Sequence, residues 1–564
     1  MVLDAMRGIK GKYTDVHITG GLSSISYGLL RRKIINRTFV ALMMAAWATI
    51  RSAVIISRVQ GRYHFMIDGV VKILHFLNSF LAITVFKKFF CEVVMIENLY
   101  KIHNASMRIL ETAGMRFQHP KIIELLREKG IRVDGETAYF KENQLMGWVE
   151  KAPKSFTVHA RNSENNFVLG GDNMVLGPAY GAPYMIDRDG RIRKGTLDDY
   201  IRFLKLVHCS DYFQTNGGIL IQPSDLDNCR HNLELMIYNT LLHSDKALIG
   251  IEGSETQMSS MFDMLAFVFD GREKLAEKPR IMTIVNTLSP LQMDRNALDT
   301  LIAYASHGQP VFVTPAPMEG FTAPITIAGM MALSNAEALA GIAVTQMIRE
   351  GVPVVYGNQA TSADLRTGAF VVGGPEHPLA IMCGARLAKS YGLPCRSGGS
   401  TSDAKKVCVQ SGYESMMLLQ TCSQENVNMV LLAGGGLDSG KGISFDKFMV
   451  DLEVIGLVRR LREGVRIDDD SLALDVITEV GPGGQFITSS HTARLCRQEI
   501  WNPQIGARRL ASGQTSYEAI NDNIDKRMTA ILEKYEQPRL SGELAPSLTE
   551  YLISRGVDNK YLRV

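Results

Sequence analysis

Net charge is almost absent from this chain: 61 Lys and Arg stand against 58 Asp and Glu, leaving +3 over 564 residues. There is no block of Lys/Arg interleaved with aromatics, so nucleic acid is not an expected partner. The eight cysteines, at 91, 209, 229, 383, 395, 408, 422 and 496, form no Cys-x-x-Cys pair and none sits near a His at zinc-finger spacing. A structural metal site is therefore not expected. No secretory signal is evident, and scattered thiols then read as reduced, mostly buried cysteines of a cytoplasmic protein.

Other absences narrow the chemistry. Gly434-Gly-Gly436 lacks the spaced Gly-Lys-Ser/Thr of a phosphate-binding Walker loop. Neither Gly-x-Ser-x-Gly nor His-Glu-x-x-His occurs, which removes the nucleophile elbow and the common zinc-protease motif. A long hydrophobic run is also wanting: Val70 to Phe86 is interrupted by Lys72, His75 and Asn78 and falls short of the roughly 20 residues that span a bilayer. An amphipathic helix is the better reading, so membrane association is not expected.

What is present is a repeating grammar. At 46% hydrophobic, 564 residues exceed what one core usually organises. After about residue 97 the pattern turns orderly, with helices expected over Ile96 to Gly114, over Pro120 to Lys129 and around Trp148, then an extended Phe156 to His159. Strands are expected at Phe167 to Leu169 and Met174 to Gly177. From Thr196 further apolar runs follow at Gly217 to Ile221, Ala247 to Ile251, Ile281 to Val285, Val311 to Thr314, Val354 to Tyr356, Pro394 to Arg396 and Met429 to Ala433. Long Ala/Leu/Met-rich stretches separate them, which is the spacing of βα units. The expected fold class is α/β, a TIM (β/α)8 barrel with an N-terminal helical extension and a C-terminal cap that includes a helix from Tyr517 to Glu536.

In such a barrel the residues just past each strand form the active face. Here they are Glu252, Asn286, Thr314, Glu319, Tyr356, Asn358, Gln359, Asp364, Arg396, Asp403 and Asp438, a mostly neutral polar rim that suits a small organic substrate. Tyr180, Tyr184, Phe321 and Tyr356 lie in or beside Gly/Pro-shaped loops, where ring faces could hold an alkylated ammonium by cation–π attraction. Glu376 and Glu414 are expected to open helices, where the helix N-terminus favours negative charge.

At these residues the chain resembles a known family. Ile102-His-Asn-Ala-Ser106 with Ile109-Leu-Glu111, Gly177-Pro-Ala-Tyr-Gly-Ala-Pro-Tyr184, Pro324-Ile-Thr-Ile-Ala-Gly329 leading to Asn335-Ala-Glu337, Thr401-Ser-Asp-Ala-Lys405 with Gln410-Ser-Gly-Tyr-Glu414, and Gly481-Pro-Gly-Gly484 with His491-Thr492 occur in order. From about Ile96 to Leu540, roughly four-fifths of the chain, this resembles the trimethylamine methyltransferase family of corrinoid-dependent enzymes. The resemblance implies a barrel that presents a methylated amine to a separate corrinoid protein, whose Co(I) takes the methyl group. The corrinoid is then supplied by that partner, and no cofactor is held tightly by this chain.

The family divides on one residue. Its trimethylamine members contain pyrrolysine, whereas this chain has only the twenty ordinary residues, as do relatives acting on quaternary amines such as glycine betaine. A quaternary nitrogen is already positive and leaves as a neutral amine, so the resemblance favours a glycine betaine-like substrate over trimethylamine. A solute-binding barrel without catalysis is the reading from a different class. Tyr180, Tyr184, Phe321 and Tyr356 are the candidates to face the ammonium, Glu376 and Glu414 are carboxylates that could offset a substrate cation, and Glu319 is a further substrate-binding candidate. Arg396, Asn358 and Gln359 are the candidate donors for a carboxylate. The oligomeric state stays open, a homo-oligomer included.

The N-terminal 95 residues are expected to be an irregular extension. His17-Ile-Thr-Gly-Gly-Leu-Ser-Ser-Ile-Ser-Tyr-Gly-Leu29 and Arg32-Lys-Ile-Ile-Asn-Arg-Thr-Phe39 resemble a late segment of methyltetrahydrofolate methyltransferases, with Ser24 where Asn is usual and Leu30 in place of Pro. The expectation is a fusion remnant in 1–95, a barrel unit in 96–540 and a tail in 541–564.

Overall fold

A computed structural model describes residue 95 and residues 97–562, apart from 227 and 228. The chain divides into two compact units, 1–100 and 101–564. The expected N-terminal extension, its folate-enzyme resemblance and the apolar Val70 to Phe86 segment lie outside the described residues.

The second unit is built on one parallel sheet. Its strands are β1 (Val175–Leu176), β2 (Leu248–Ile249), β3 (Ile281–Asn286), β4 (Val311–Thr314), β5 (Val354–Gly357), β6 (Cys395–Gly398) and β7 (Met429–Leu431). They pair in the order β2-β3-β4-β5-β6-β7-β1, every ladder parallel. Residues 214–216 close the ring between β1 and β2. Gln214 N–H donates to Leu176 O at 3.2 Å, and Asn216 N–H donates to Ala247 O at 3.2 Å beside a Thr215–Ala247 parallel bridge.

This eighth stave corrects the strand expected at Gly217 to Ile221, which sits a few residues too late. Gly217 and Gly218 have φ of 84° and 64°, a region open to glycine at no steric cost, so the chain turns there instead of extending. The Asn216 side chain carries on the ladder in place of backbone, its Oδ1 accepting from Ile249 N at 3.1 Å. A side-chain-mediated stave leaves no β-type run to read.

Eight helices form the outer ring: α1 (Leu197–His208), α2 (Asn232–His243), α3 (Glu255–Val268), α4 (Arg295–Ser306), α5 (Ile327–Ile348), α6 (Glu376–Ser390), α7 (Val409–Gln424) and α8 (Phe445–Glu463). Their start signals are local. Thr196 and Asp199 form a capping box on α1, and the Asp294 carboxylate accepts from Ala297 N at the start of α4. Helix α5 is long and apolar enough to cross a membrane, yet 83% of its apolar window is buried. It packs on β4, β5 and the helix Glu142–Val149.

The N-terminal end of the barrel is plugged. A hairpin of Ser155–Val158 and Phe167–Gly170 delivers Phe156, Val158 and Leu169 to a core shared with Val175, Ala247, Ile249, Met282, Ile284, Phe312, Val355, Met429 and Leu431. Each of the larger side chains among them contributes roughly 1.5–3 kcal/mol when fully buried. This dry floor can therefore carry the several kcal/mol that a strained or uncompensated polar group costs at the other end.

The C-terminal extension runs along the ring. Helix α9 (Ser516–Glu533) packs on α8 and α1, and α10 (Arg539–Ser554), where a tail was expected, packs on α2 and α3 with Leu548 and Leu552 fully buried. Arg188 ties this layer to the barrel through Asp446 and Asp525. Both helices pack on outer helices of the ring.

Candidate active site

Side chains alternate inward and outward along a strand, and residues paired across a parallel ladder share a face. Met429 belongs to the inner core, so its partner Arg396 on β6 points into the barrel, above the apolar floor. Arg396 is 2% exposed. Its Nη1 donates to Gln359 Oε1 at 2.8 Å and its Nη2 to Tyr180 Oη at 3.2 Å, while Nε has no partner. Among the described residues no carboxylate is in ion-pair contact with it. A buried guanidinium with a free donor and no counter-charge is costly, and an anionic ligand would relieve it.

A relay fixes this group. Gln359 Nε2 donates to His377 Nε2 at 3.5 Å, and His377 Nδ1 donates to Ala360 O at 2.9 Å. Burial, helped by the positive charge of Arg396, holds the His377 imidazole down at about 4. It is therefore neutral, which is the state that can accept from Gln359 and so turn the amide oxygen toward Arg396. Tyr180 comes from the loop after β1 and rests on the inner core. Burial raises its hydroxyl, the Arg396 charge opposes that rise, and the charge of Glu252 adds to it. The Tyr180 hydroxyl thus feels a positive group on one side and a negative one on the other.

Glu252 lies just past β2, and Asn286 ends β3; both are exposed at the mouth. The surrounding protein, then the negative charge of Asp294, push the Glu252 carboxyl up to about 7. A carboxyl set in the wall of a funnel is reached by water and still poorly solvated.

The other expected site residues divide. Tyr356 does not face the barrel interior: Val355 is in the inner core, so Tyr356 points outward, where it is fully buried and donates to Asn335 Oδ1 on α5 at 3.0 Å. Asn358 is also turned away, with Nδ2 donating to Ala380 O at 2.8 Å and Oδ1 accepting from Ser334 Oγ at 3.3 Å. Tyr184 and Phe321 sit on the outer rim, 40% and 51% exposed. Glu319 is buried, and its carboxyl is raised by burial and by Glu376. The expected four-aromatic cage is therefore not assembled, and only Tyr180 reaches Arg396.

Glu376 does open α6, but Glu414 is six residues into α7 and is consumed by structure. Its carboxylate accepts from Ser402 Oγ, from Asp403 N at 2.9 Å and from Gln410 Nε2 at 2.8 Å. Asp403 in turn accepts from Val372 N at 2.9 Å, Gly373 N at 2.8 Å and Ser439 Oγ at 2.8 Å. These two carboxylates hold together the loops after β5, β6 and β7. His377 carried no sequence signal beyond being one of twelve histidines; only its contact with Gln359 reveals it. A surface cleft between α1 and α9, lined by Arg202, Lys205 and Tyr535, lies on the flank away from all these groups.

A closed parallel barrel with an apolar floor and, inside it on β6, a buried guanidinium beside a tyrosine hydroxyl is the layout of a barrel enzyme for a small polar organic molecule. The chain belongs to the trimethylamine methyltransferase family, whose model, Trimethylamine methyltransferase (MTTB), matches residues 81–559. It is 37% identical over 467 residues to glycine betaine methyltransferase of Desulfitobacterium hafniense (strain Y51), covering 82% of this chain and 96% of that protein. With proline betaine:corrinoid methyltransferase of Eubacterium limosum it shares 29% identity over 486 residues, 84% and 98% of the two chains. With trimethylamine methyltransferase MttB of Desulfitobacterium hafniense (strain DSM 10664 / DCB-2) it shares 28% over 464 residues, 80% and 91%.

Proposed function

We infer that the protein takes a methyl group from a quaternary amine bearing a carboxylate, of the glycine betaine type, and delivers it to the Co(I) corrinoid of a partner protein. The observation that carries this reading is Arg396, buried, held by Gln359 and Tyr180, and without a carboxylate partner among the described residues. A betaine supplies a carboxylate; trimethylamine has none to offer.

The chemistry balances without a proton. The Co(I) electron pair forms the new carbon–cobalt bond, the carbon–nitrogen pair stays on nitrogen, and a neutral tertiary amine departs. A site whose groups are a fixed set of donors around a neutral His377 fits such a transfer, since positioning is what it must supply. Arg396 and Tyr180 orient the substrate by its carboxylate, which leaves the N-methyl groups toward the open mouth where another protein can approach.

The test mixes the protein with a Co(I) corrinoid protein and either glycine betaine or trimethylamine, and follows the cobalt spectrum. Conversion to methyl-cobalt with glycine betaine and not with trimethylamine is expected. Reaction with trimethylamine while glycine betaine stays inert would refute the assignment.

A further inference from the structure

The missing aromatic cage leaves the positive end of a betaine without a partner, and the structure holds a group of opposite sign in the right quarter of the barrel. Counting staves around the ring from β1, residues 214–216 are second, β2 third and β6 seventh. Third and seventh of eight face each other across the barrel. Glu252 follows the third stave and Arg396 lies on the seventh. An eight-stranded barrel is roughly 15 Å across between backbones, from strands about 4.8 Å apart tilted by about 36°. Side chains reaching in from opposite walls leave room for a small molecule and not for direct contact with each other.

Each of these two groups is unmatched. Among the described residues Arg396 has no carboxylate partner, and its Nε has no hydrogen-bond partner. Among the described residues the Glu252 carboxylate makes no hydrogen bond and no ion pair. Asp294 beside it is occupied as the cap of α4. The Tyr180 hydroxyl, bonded to Arg396, feels the Glu252 charge as well, so the three groups share one electrostatic neighbourhood.

We propose that Glu252 supplies the negative charge that faces the substrate's quaternary ammonium, opposite Arg396, so that the mouth reads a zwitterion by its two ends. The proposal rests on the reading of this mouth as a quaternary-amine site and adds the residue that selects the cationic end. The carboxyl, held up at about 7 by the surrounding protein and by Asp294, is poised to ionise beside a cation. Glu319 is the competing carboxylate. It sits in the loop after β4 against Glu376, and its charge is not among those felt at Tyr180.

The proposal has a kinetic signature. Positive charge on nitrogen falls as the methyl group leaves, so a carboxylate there holds the ground state more tightly than the transition state. Removing it weakens binding without slowing chemistry, which raises KM and leaves kcat unchanged or higher.

The test measures binding to the full chain by calorimetry for glycine betaine and for 3,3-dimethylbutanoate, its uncharged tert-butyl isostere with the same carboxylate. The wild type is expected to prefer glycine betaine. In Glu252→Gln the preference is expected to fall about tenfold or more, with the isostere's affinity unchanged. In Arg396→Gln both ligands weaken together. Equal losses for both ligands in Glu252→Gln, no loss for either, or a collapsed preference in Glu319→Gln instead would overturn the role of Glu252 while leaving the betaine reading intact. Failure of the wild type to bind glycine betaine at all would overturn both.

Discussion

Tyr180 and Arg396 share a hydrogen bond of 3.2 Å although 216 residues separate them, and it joins the loop after β1 to β6. The bond orients a guanidinium that the fold itself does not neutralise. Replacing Arg396 by Gln is expected to stabilise the ligand-free protein by about 1 kcal/mol or more, because an uncompensated buried charge is removed. The same change should raise KM for glycine betaine by about a hundredfold, the worth of a charge-assisted bond to a carboxylate. Thermal unfolding with and without betaine checks both: the wild type should gain stability from the ligand and the variant should not.

His377 links the site to pH. Its folded-state value of about 4 lies below the 6.5 of an unfolded chain, so the unfolded state binds the proton more tightly between them. Stability from this group is complete above pH 6.5 and is lost as pH falls toward 4, by about 3 kcal/mol at about 1.4 kcal/mol per unit. His243, also near 4, adds a similar slope from a separate place. His377→Asn should therefore lessen the pH dependence of unfolding between 6.5 and 4, and His377→Asn with His243→Asn should lessen it further, with the slope that remains including His208 and His159, which burial also holds down. Denaturant titrations at several pH values measure this; an unchanged slope in His377→Asn would contradict a buried neutral imidazole.

The barrel was legible because its parts are local. Ile281–Asn286, Val311–Thr314 and Val354–Gly357 are apolar runs closed by turn residues, and Thr196 with Asp199 announces α1 four residues at a time. The site was legible only where position along a strand settles direction. Arg396, Gln359 and Glu252 stood out as residues just past strands; Gln359 and Glu252 do follow β5 and β2, whereas Arg396 is the second residue of β6 and points inward from it. Tyr356 and Asn358 stood out by the same rule and face the helices, because inward and outward positions differ by one residue and the rim gives no alternation to count. His377 belongs to the first turn of α6, and nothing in its neighbours marks it.

Tyr356 offers a direct check of that outward placement. Its hydroxyl donates to Asn335 Oδ1, while Asn335 Nδ2 donates to Ser106 Oγ at 2.9 Å and Tyr391 Oη at 3.0 Å. Tyr356→Phe leaves the Asn335 oxygen buried and unsatisfied, a loss of about 1–3 kcal/mol of stability. KM for glycine betaine should stay within about twofold, since under 0.5 kcal/mol reaches the mouth. A large KM change with stability intact would return Tyr356 to the substrate side.

Phe321 belongs to the rim, and its near neighbours are exposed apolar side chains. Ile325 and Leu365, 61% and 60% exposed, both come within about 3 Å of where a side chain on Gly320 would begin, so they lie side by side around the same turn. Phe321 reaches Gly368 on the neighbouring loop. Three large apolar side chains thus stand together beside the mouth, left exposed at a place where burial would have stabilised them by roughly 1.5 kcal/mol or more each. A corrinoid protein that must bring its cobalt to the mouth would cover this edge, and apolar area released there favours docking. Phe321→Asp is expected to raise KM for the corrinoid protein about tenfold, through lost burial and a buried charge, while glycine betaine binding by calorimetry stays unchanged. Loss of betaine binding in Phe321→Asp would place the ring in the substrate pocket after all; unchanged kinetics at limiting corrinoid protein would remove this edge from the docking surface.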